Sequence, residues 1–229
     1  TAGTLGFLTA LIWRVSLLPE RCEAAVCSGP WEKVAALAND IITSRLEPSL
    51  VCALPSGSDG QRWRLLTGFE GFSETVQAQV DSLYPKMDAA GLTPAAPLPF
   101  AALDGPLADD FHRLSRHPYQ LRVDLPAATL AAALKRIDPY IDRQEMLVDP
   151  GCGRILSGSD ELSPEGWHKI GDAVSALGGH AVLEAAPPEF KAENDVFGPE
   201  QPAWKIMHRI KRALDPEGIF APGRLPGNV

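Results

Sequence analysis

The stretch Tyr119-Gln120-Leu121-Arg122-Val123-Asp124-Leu125-Pro126 decides the fold. Leu121, Val123 and Leu125 alternate with Gln120, Arg122 and Asp124, the period of a strand with one buried face. Pro126 then opens an alanine-rich segment to about Ile137 that reads as a helix. Tyr140 to Val148 and Arg154 to Ser157 read as two further strands, joined by the turn Asp149-Pro150-Gly151-Cys152-Gly153. Ser163-Pro164-Glu165 starts a helix that Gly178-Gly179 stops, and His180 to Ala185 is a closing strand.

Upstream the same order occurs once more. Cys22 to Cys27 is a short strand, and Pro30-Trp31-Glu32 opens a helix to about Arg45 with Val34, Leu37, Ala38, Ile41 and Ile42 on one face. Ser49 to Leu54 and Arg62 to Phe69 are paired strands about the turn Pro55 to Gly60, and Ser73 caps a helix to about Ala90, kinked near Pro85. Two strand-helix-strand-strand-helix units imply an α+β fold: a mainly antiparallel sheet with helices on one face, a ferredoxin-like arrangement. Between the units, Gly91 to Pro106 is rich in proline and reads as a loop, and Leu107 to Arg116 as a short helix stopped by His117-Pro118. Leu5 to Leu18, apolar and branched, reads as a long strand. Pro187 to Pro202 is an excursion, and Ala203 to Leu214 is a helix that Asp215-Pro216 ends.

Composition narrows the functions. Hydrophobic content of 45% and charged content of 22% suit a globular domain, and a net charge of −8 argues against wholesale nucleic-acid binding. The charge is uneven: Pro202 to Val229 carries +3 and the remainder −11, so a basic terminal helix is available to an anionic cofactor or partner. Cys22, Cys27, Cys52 and Cys152 show no zinc or redox spacing and read as small buried residues of a reducing compartment. No apolar run reaches the ~18–20 residues that span a bilayer. The five histidines follow no metal-ligand pattern, no metal site is expected, and no catalytic constellation stands out. His208, near the tail, is the best-placed acid or base; Arg122, Arg154 and Arg224 are candidates to grip a carboxylate.

Two terminal motifs go further. Gly3-Thr4-Leu5-Gly6, within Thr1 to Thr9, lets backbone amides approach a phosphate or a flavin edge. Leu214-Asp215-Pro216-Glu217-Gly218-Ile219-Phe220-Ala221-Pro222-Gly223-Arg224 sets two turns around an apolar plug and ends in a planar cationic fork. These segments resemble the "GTLGxxT" and "DPxGIFNPGR" segments of FAD-linked oxidases of the vanillyl-alcohol oxidase type, with Ala221 in place of the usual asparagine. The hairpin Gln61 to Gly71 and the turn Val148 to Leu156 resemble, in part, the E subunit of glycolate oxidase, although Pro150 and Cys152 depart from its pattern.

The resemblance implies residues 1–18 as the end of an FAD-binding domain, 19–201 as a cap or substrate domain, and 202–229 as a helix and tail returning to the FAD domain. It implies FAD in the intact protein, with Gly3, Thr4, Gly6, Gly223 and Arg224 at the cofactor, and a small 2-hydroxy acid such as glycolate as substrate. It further implies partner subunits, one of them iron-sulfur, and a cytoplasmic location with any membrane association made through those partners. The rival expectation is a non-enzymatic α+β domain that joins subunits of an oxidoreductase complex.

Overall fold

The computed structural model describes residues 3–15, 17–57 and 61–227, without the side chain of Asp104. Two compact units emerge: Leu18–Gly198, and a second composed of Thr1–Leu17 with Pro199–Val229.

The larger unit is built on alternation. Its strands are β1 (Arg21–Pro30), β2 (Leu50–Ser56), β3 (Arg62–Gly71), the two-residue β4 (Thr93–Pro94) and β5 (Leu98–Pro99), β6 (Tyr119–Asp124), β7 (Met146–Asp149), β8 (Arg154–Ser159) and β9 (His180–Ala185). Its helices are α1 (Trp31–Thr43), α2 (Ser73–Ala89), α3 (Ala101–Leu114), α4 (Leu130–Ile137), α5 (Pro164–Ser175) and α6 (Pro188–Glu193). The strands form one sheet in the order β4-β1-β3-β2-β7-β8-β6-β9, with β5 also on β1. Every pairing is antiparallel. Each half has the expected ferredoxin-like order, and the halves meet where β2 pairs β7 at Ala53 and Val148.

Residues of one parity, among them Ala25, Ala53, Leu65, Phe69, Val123, Val148 and Ile155, point to the face that α1, α2, α4 and α5 cover. Trp63 and Trp167 are the largest side chains fully buried there, and Trp31 lies 4.5 Å from Trp63 between ring centroids. Full burial of such side chains sets the cost of truncating them to alanine at about 3–5 kcal/mol. The Trp167 indole donates to the Asp195 carbonyl at 2.8 Å, so this deeply placed N–H is paired. Ser163 caps α5 as the sequence predicts, accepting from the Gly166 amide.

Several expectations are corrected. Gly91 to Pro106 is not a loop throughout: Thr93–Pro94 and Leu98–Pro99 hydrogen-bond along the edge of β1, and α3 begins at Ala101, packing on the sheet face opposite the other helices. Proline suits an edge strand, whose outer side needs no donor. Ser73 is the first helical residue of α2 and not its cap; Phe72 occupies the cap position without a side-chain bond. The strand expected from Tyr140 starts only at Met146, because Asp138–Tyr140 closes α4 with a 3-10 turn. The expected strand Leu5 to Leu18 is irregular at every described position, with Phe7, Leu8, Ile12, Trp13, Leu17 and Leu18 exposed. A strand needs a neighbour to pair with, and the described residues of that unit hold no other strand. Cys152 is exposed, unlike the buried Cys27 and Cys52. The tip of the Pro55 to Gly60 turn, residues 58–60, lies outside the described residues.

Gly153 makes a sharp test of the fold. Its φ is +71°, and a Cβ there would lie 1.9 Å from the Leu125 carbonyl oxygen. Gly153→Ala is expected to cost more than about 2 kcal/mol in urea unfolding. Gly105→Ala, where an added Cβ meets nothing within 4 Å inside α3, is expected to stabilise by about 0.5–1 kcal/mol.

Candidate functional site

The smaller unit contains both terminal motifs. Its helix α7 (Trp204–Leu214) ends at Asp215, whose amide bonds the Lys211 carbonyl at 2.8 Å. Lys211 and Asp215 lie four residues apart, so one turn of helix brings their side chains together. Both are almost wholly buried, with side-chain exposures of 4% and 2%.

A buried ammonium survives only if its donors are used, and the three N–H groups of Lys211 have three partners. Nζ donates to the Asp215 carboxylate, to the Phe220 carbonyl at 2.7 Å and to the Thr4 carbonyl at 2.9 Å. The carboxylate is equally occupied: the Ile219 and Phe220 amides donate to its two oxygens, each at 2.9 Å. The Lys211 hydrogen bond is the main influence holding the Asp215 carboxyl below its ordinary value; together with the two backbone amides and the lysine charge it prevails over the opposing effect of burial.

This knot shapes the tail. Gly218 supplies a left-handed φ of +64° where the chain doubles back after Pro216, and Phe220 then meets Phe7 edge-on with ring centroids 5.8 Å apart. Ala221 follows at φ +42°, the one non-glycine residue with positive φ among those described. Asparagine tolerates that conformation better than alanine, which gives the usual residue of the motif a backbone reason. His208 Nε2 donates to the Pro226 carbonyl at 2.6 Å and fastens the end of the tail to α7. That bond gives His208 a structural task at the position where the sequence nominates an acid or base.

The cofactor candidates fall around this knot as follows. Thr4 is buried, and its carbonyl serves Lys211. Gly3 and Gly6 are exposed, and no atom lies within 4 Å of a Cβ placed on either; the same holds for Gly223, at φ +76°. Arg224 is exposed, and among the described residues its guanidinium joins no ion pair. These bare glycines and the exposed cation leave open backbone and charge at the surface, but they do not by themselves enclose a ligand.

In the larger unit, Arg122 and Arg154 are already engaged. Arg122 bonds Asp124 and, at 2.6 Å, Glu184, while Arg154 donates to Asp124 at 2.6 Å. A substrate carboxylate would have to displace these partners. Among the described residues, no group of three or more His, Cys, Asp or Glu converges on a metal position, and no helix is long and apolar enough to cross a membrane.

Sequence reasoning missed Lys211 and Asp215 as a buried ion pair, reading the first as part of a helix face and the second as a stop. A lysine four residues before the aspartate of a DPxG turn is the signal that finds them.

The family model described as "FAD linked oxidases, C-terminal domain" matches residues 197–225, the stretch that contains α7 and the knot. No curated protein matches the chain. Two crystal forms of alkyldihydroxyacetonephosphate synthase, P1 and P212121, are similar in structure, with TM-scores of 0.59 and 0.62 at 15% identity. They cover 95% and 97% of this chain but only 47% and 48% of theirs, so the chain spans about half the length of these proteins. The VAO-type flavoprotein MtVAO615 from Myceliophthora thermophila C1, solved at pH 5.0, matches with a TM-score of 0.49 at 15% identity, over 87% of this chain and 46% of its own. At this identity the synthase likeness establishes the fold alone.

Two outcomes are expected of the knot. The Asp215 carboxyl titrates at about 3.8 when unperturbed and lower in the folded chain. Its contribution to stability is therefore present above that unfolded value and lost as pH falls through the folded one. The stability difference between the natural chain and Asp215→Asn, from unfolding curves across pH, is expected to be largest near neutrality and to shrink in acid. Ala221→Asn is expected to stabilise by about 1 kcal/mol, by relieving the left-handed backbone, and to raise the unfolding temperature of this unit.

Proposed function

We propose that this chain is the C-terminal, cap-bearing portion of an FAD-dependent oxidoreductase that oxidises a small 2-hydroxy acid such as glycolate. The carrying observation is the coincidence of the Lys211–Asp215 knot with residues 197–225, the segment that the FAD-linked oxidase family model matches. The knot ties the glycine-rich Gly3-Thr4-Leu5-Gly6 stretch to the turn bearing Gly223 and Arg224. The structural likeness of this chain to alkyldihydroxyacetonephosphate synthase supports the same reading at the level of fold.

In the intact protein Gly3 and Gly6 let a cofactor edge approach the backbone, and Arg224 offers its fork to a phosphate, a carbonyl or a substrate carboxylate. Thr4 holds the first motif in place through its carbonyl. Bound FAD supplies a two-electron acceptor for the hydrogen on the substrate's hydroxyl-bearing carbon. We assign the protein to the cytoplasm, with an iron-sulfur subunit as electron-transfer partner and any membrane contact made through partner subunits.

A second reading, a subunit-joining domain without catalysis, draws on the exposed apolar run of Phe7, Leu8, Leu11, Ile12 and Trp13, a surface suited to contact with other protein. Flavin content discriminates the two.

In the intact protein Arg224→Ala is expected to lower flavin content or the rate of substrate-dependent flavin reduction while shifting stability by only about 0.5 kcal/mol, as an exposed side chain should. Unchanged flavin content together with an unchanged reduction rate would remove Arg224 from the site. The 229-residue chain purified alone is expected to carry no stoichiometric FAD, because it offers the rim of a site without the surrounding walls.

A further inference from the structure

Helix α3 stands apart from the rest of the larger unit. It lies on the sheet face opposite α1, α2, α4 and α5, where Phe100, Leu103, Leu107 and Leu114 rest on a floor that includes Val26, Cys52, Leu54, Leu66 and Leu147. Its interior holds Gly105 and Pro106, both unfavourable in a helix, and no side chain caps its N-terminus. Proline punctuates both approaches, at Pro94, Pro97 and Pro99 before it and Pro118 after it.

The helix is pinned at each end by a ring lying on a glycine of the sheet. At the leading end Phe100 covers Gly68 of β3, so closely that a Cβ on Gly68 would fall 2.3 Å from the ring. At the trailing end His117 covers Gly158 of β8, where a Cβ would fall 2.4 Å from the imidazole. The first pin is apolar and indifferent to pH. The second is ionisable and sits between two carboxylates: Nδ1 lies 2.8 Å from Asp160, and Nε2 lies 3.3 Å from Glu145. Only a protonated imidazole donates from both nitrogens; the neutral ring must turn a lone pair toward one of the carboxylates.

We propose that α3 is a strap over the open face of the sheet, held permanently at Phe100 and released at its His117 end when the imidazole loses its proton. Release bares the apolar floor around Cys52, Leu54 and Leu66, continuous with the crevice that Phe111, Leu114, Gln120, Leu156 and Glu184 line.

The charged groups around His117 agree with this behaviour. Glu145, before β7, and Asp160, after β8, face the ring, while Arg113 of α3 shares Glu145 and also bonds Asp110 on its own helix. Burial acts to lower the His117 pKa, but the hydrogen bonds and charges of Asp160 and Glu145 together prevail and raise it above the ordinary 6.5. By linkage, the closed strap is stabilised below the free imidazole value, and that stabilisation is lost as pH rises through the raised one. Arg113 also bonds Glu145 and the Gln144 carbonyl in the closed strap, so these contacts part together with those of His117 on release, while the Phe100 end stays in place.

Cysteine labelling reads the strap directly. Cys52 is 3% exposed beneath α3, whereas Cys27 is fully buried on the opposite, helix-covered face. Burial pushes the two thiols up, to about 12 and about 11, so both stay largely protonated near neutrality and their thiolate fractions rise in parallel with pH. In a chain carrying Cys22→Ser and Cys152→Ser, maleimide modification of each remaining cysteine is followed by peptide mass spectrometry. The Cys52 to Cys27 labelling ratio is expected to rise by roughly tenfold between about pH 5.5 and about pH 8, the span in which an imidazole titrates. In His117→Gln the ratio is expected to be high throughout and independent of pH. A constant ratio in the chain with His117 intact, or labelling of both cysteines at one common rate, overturns the proposal. That pH series decides the matter by itself should His117→Gln fail to fold.

Discussion

Antiparallel pairing of β2 with β7, registered at Ala53 opposite Val148, is the constraint on which the larger unit depends. Each half alone, a sheet of four or five strands under two helices, is too small for a generous core. Joined edge to edge, the halves place α1 and α2 beside α4 and α5 over one continuous hydrophobic layer. The junction also removes two exposed strand edges at once, the features that otherwise invite pairing with foreign chains. The outer edges are managed differently: prolines in β4 and β5 border one, and at the other the Leu183 amide of β9 bonds the Val196 carbonyl.

The smaller unit rests on electrostatics more than on a core. The buried lysine and carboxylate are each saturated with partners, and removing either would strand the other charge in a dry site, a heavier penalty than the pair's own net gain. Such a pair serves geometry: it fixes where the Phe220 carbonyl, the Thr4 carbonyl and the turn after Ala221 lie. That requirement explains why a polar knot stands where hydrophobic side chains would pack as tightly. Arg224, beyond the knot, is left with an exposed fork on a positioned backbone.

Much of this architecture is legible in the sequence, because strands with one buried face alternate and amphipathic helices repeat with a longer period. Tyr119 to Asp124 and Pro164 to Ser175 carry both signals, with turn residues at their ends. The misreadings share a cause: they concern contacts that composition does not encode. The branched, apolar Leu5 to Leu18 has the content of a strand, but pairing depends on a partner elsewhere. The proline-rich run before α3 has the content of a loop, yet an edge strand tolerates proline where a central one does not. Lys211 and Asp215 carry charges that usually mark a solvated helix face, and only tertiary structure shows them buried. The bare glycines and Arg224 were legible as motif residues, whereas the knot that holds their backbone was not.

The claim that this fold serves flavin chemistry is tested most directly by the visible absorbance of the intact protein, recorded without oxygen before and after addition of glycolate or a related 2-hydroxy acid. The account predicts a band near ~450 nm from bound oxidised flavin, which bleaches when the hydroxy acid is added. An intact protein that folds, binds no flavin and shows no such band would contradict it and leave the chain as a domain that joins subunits.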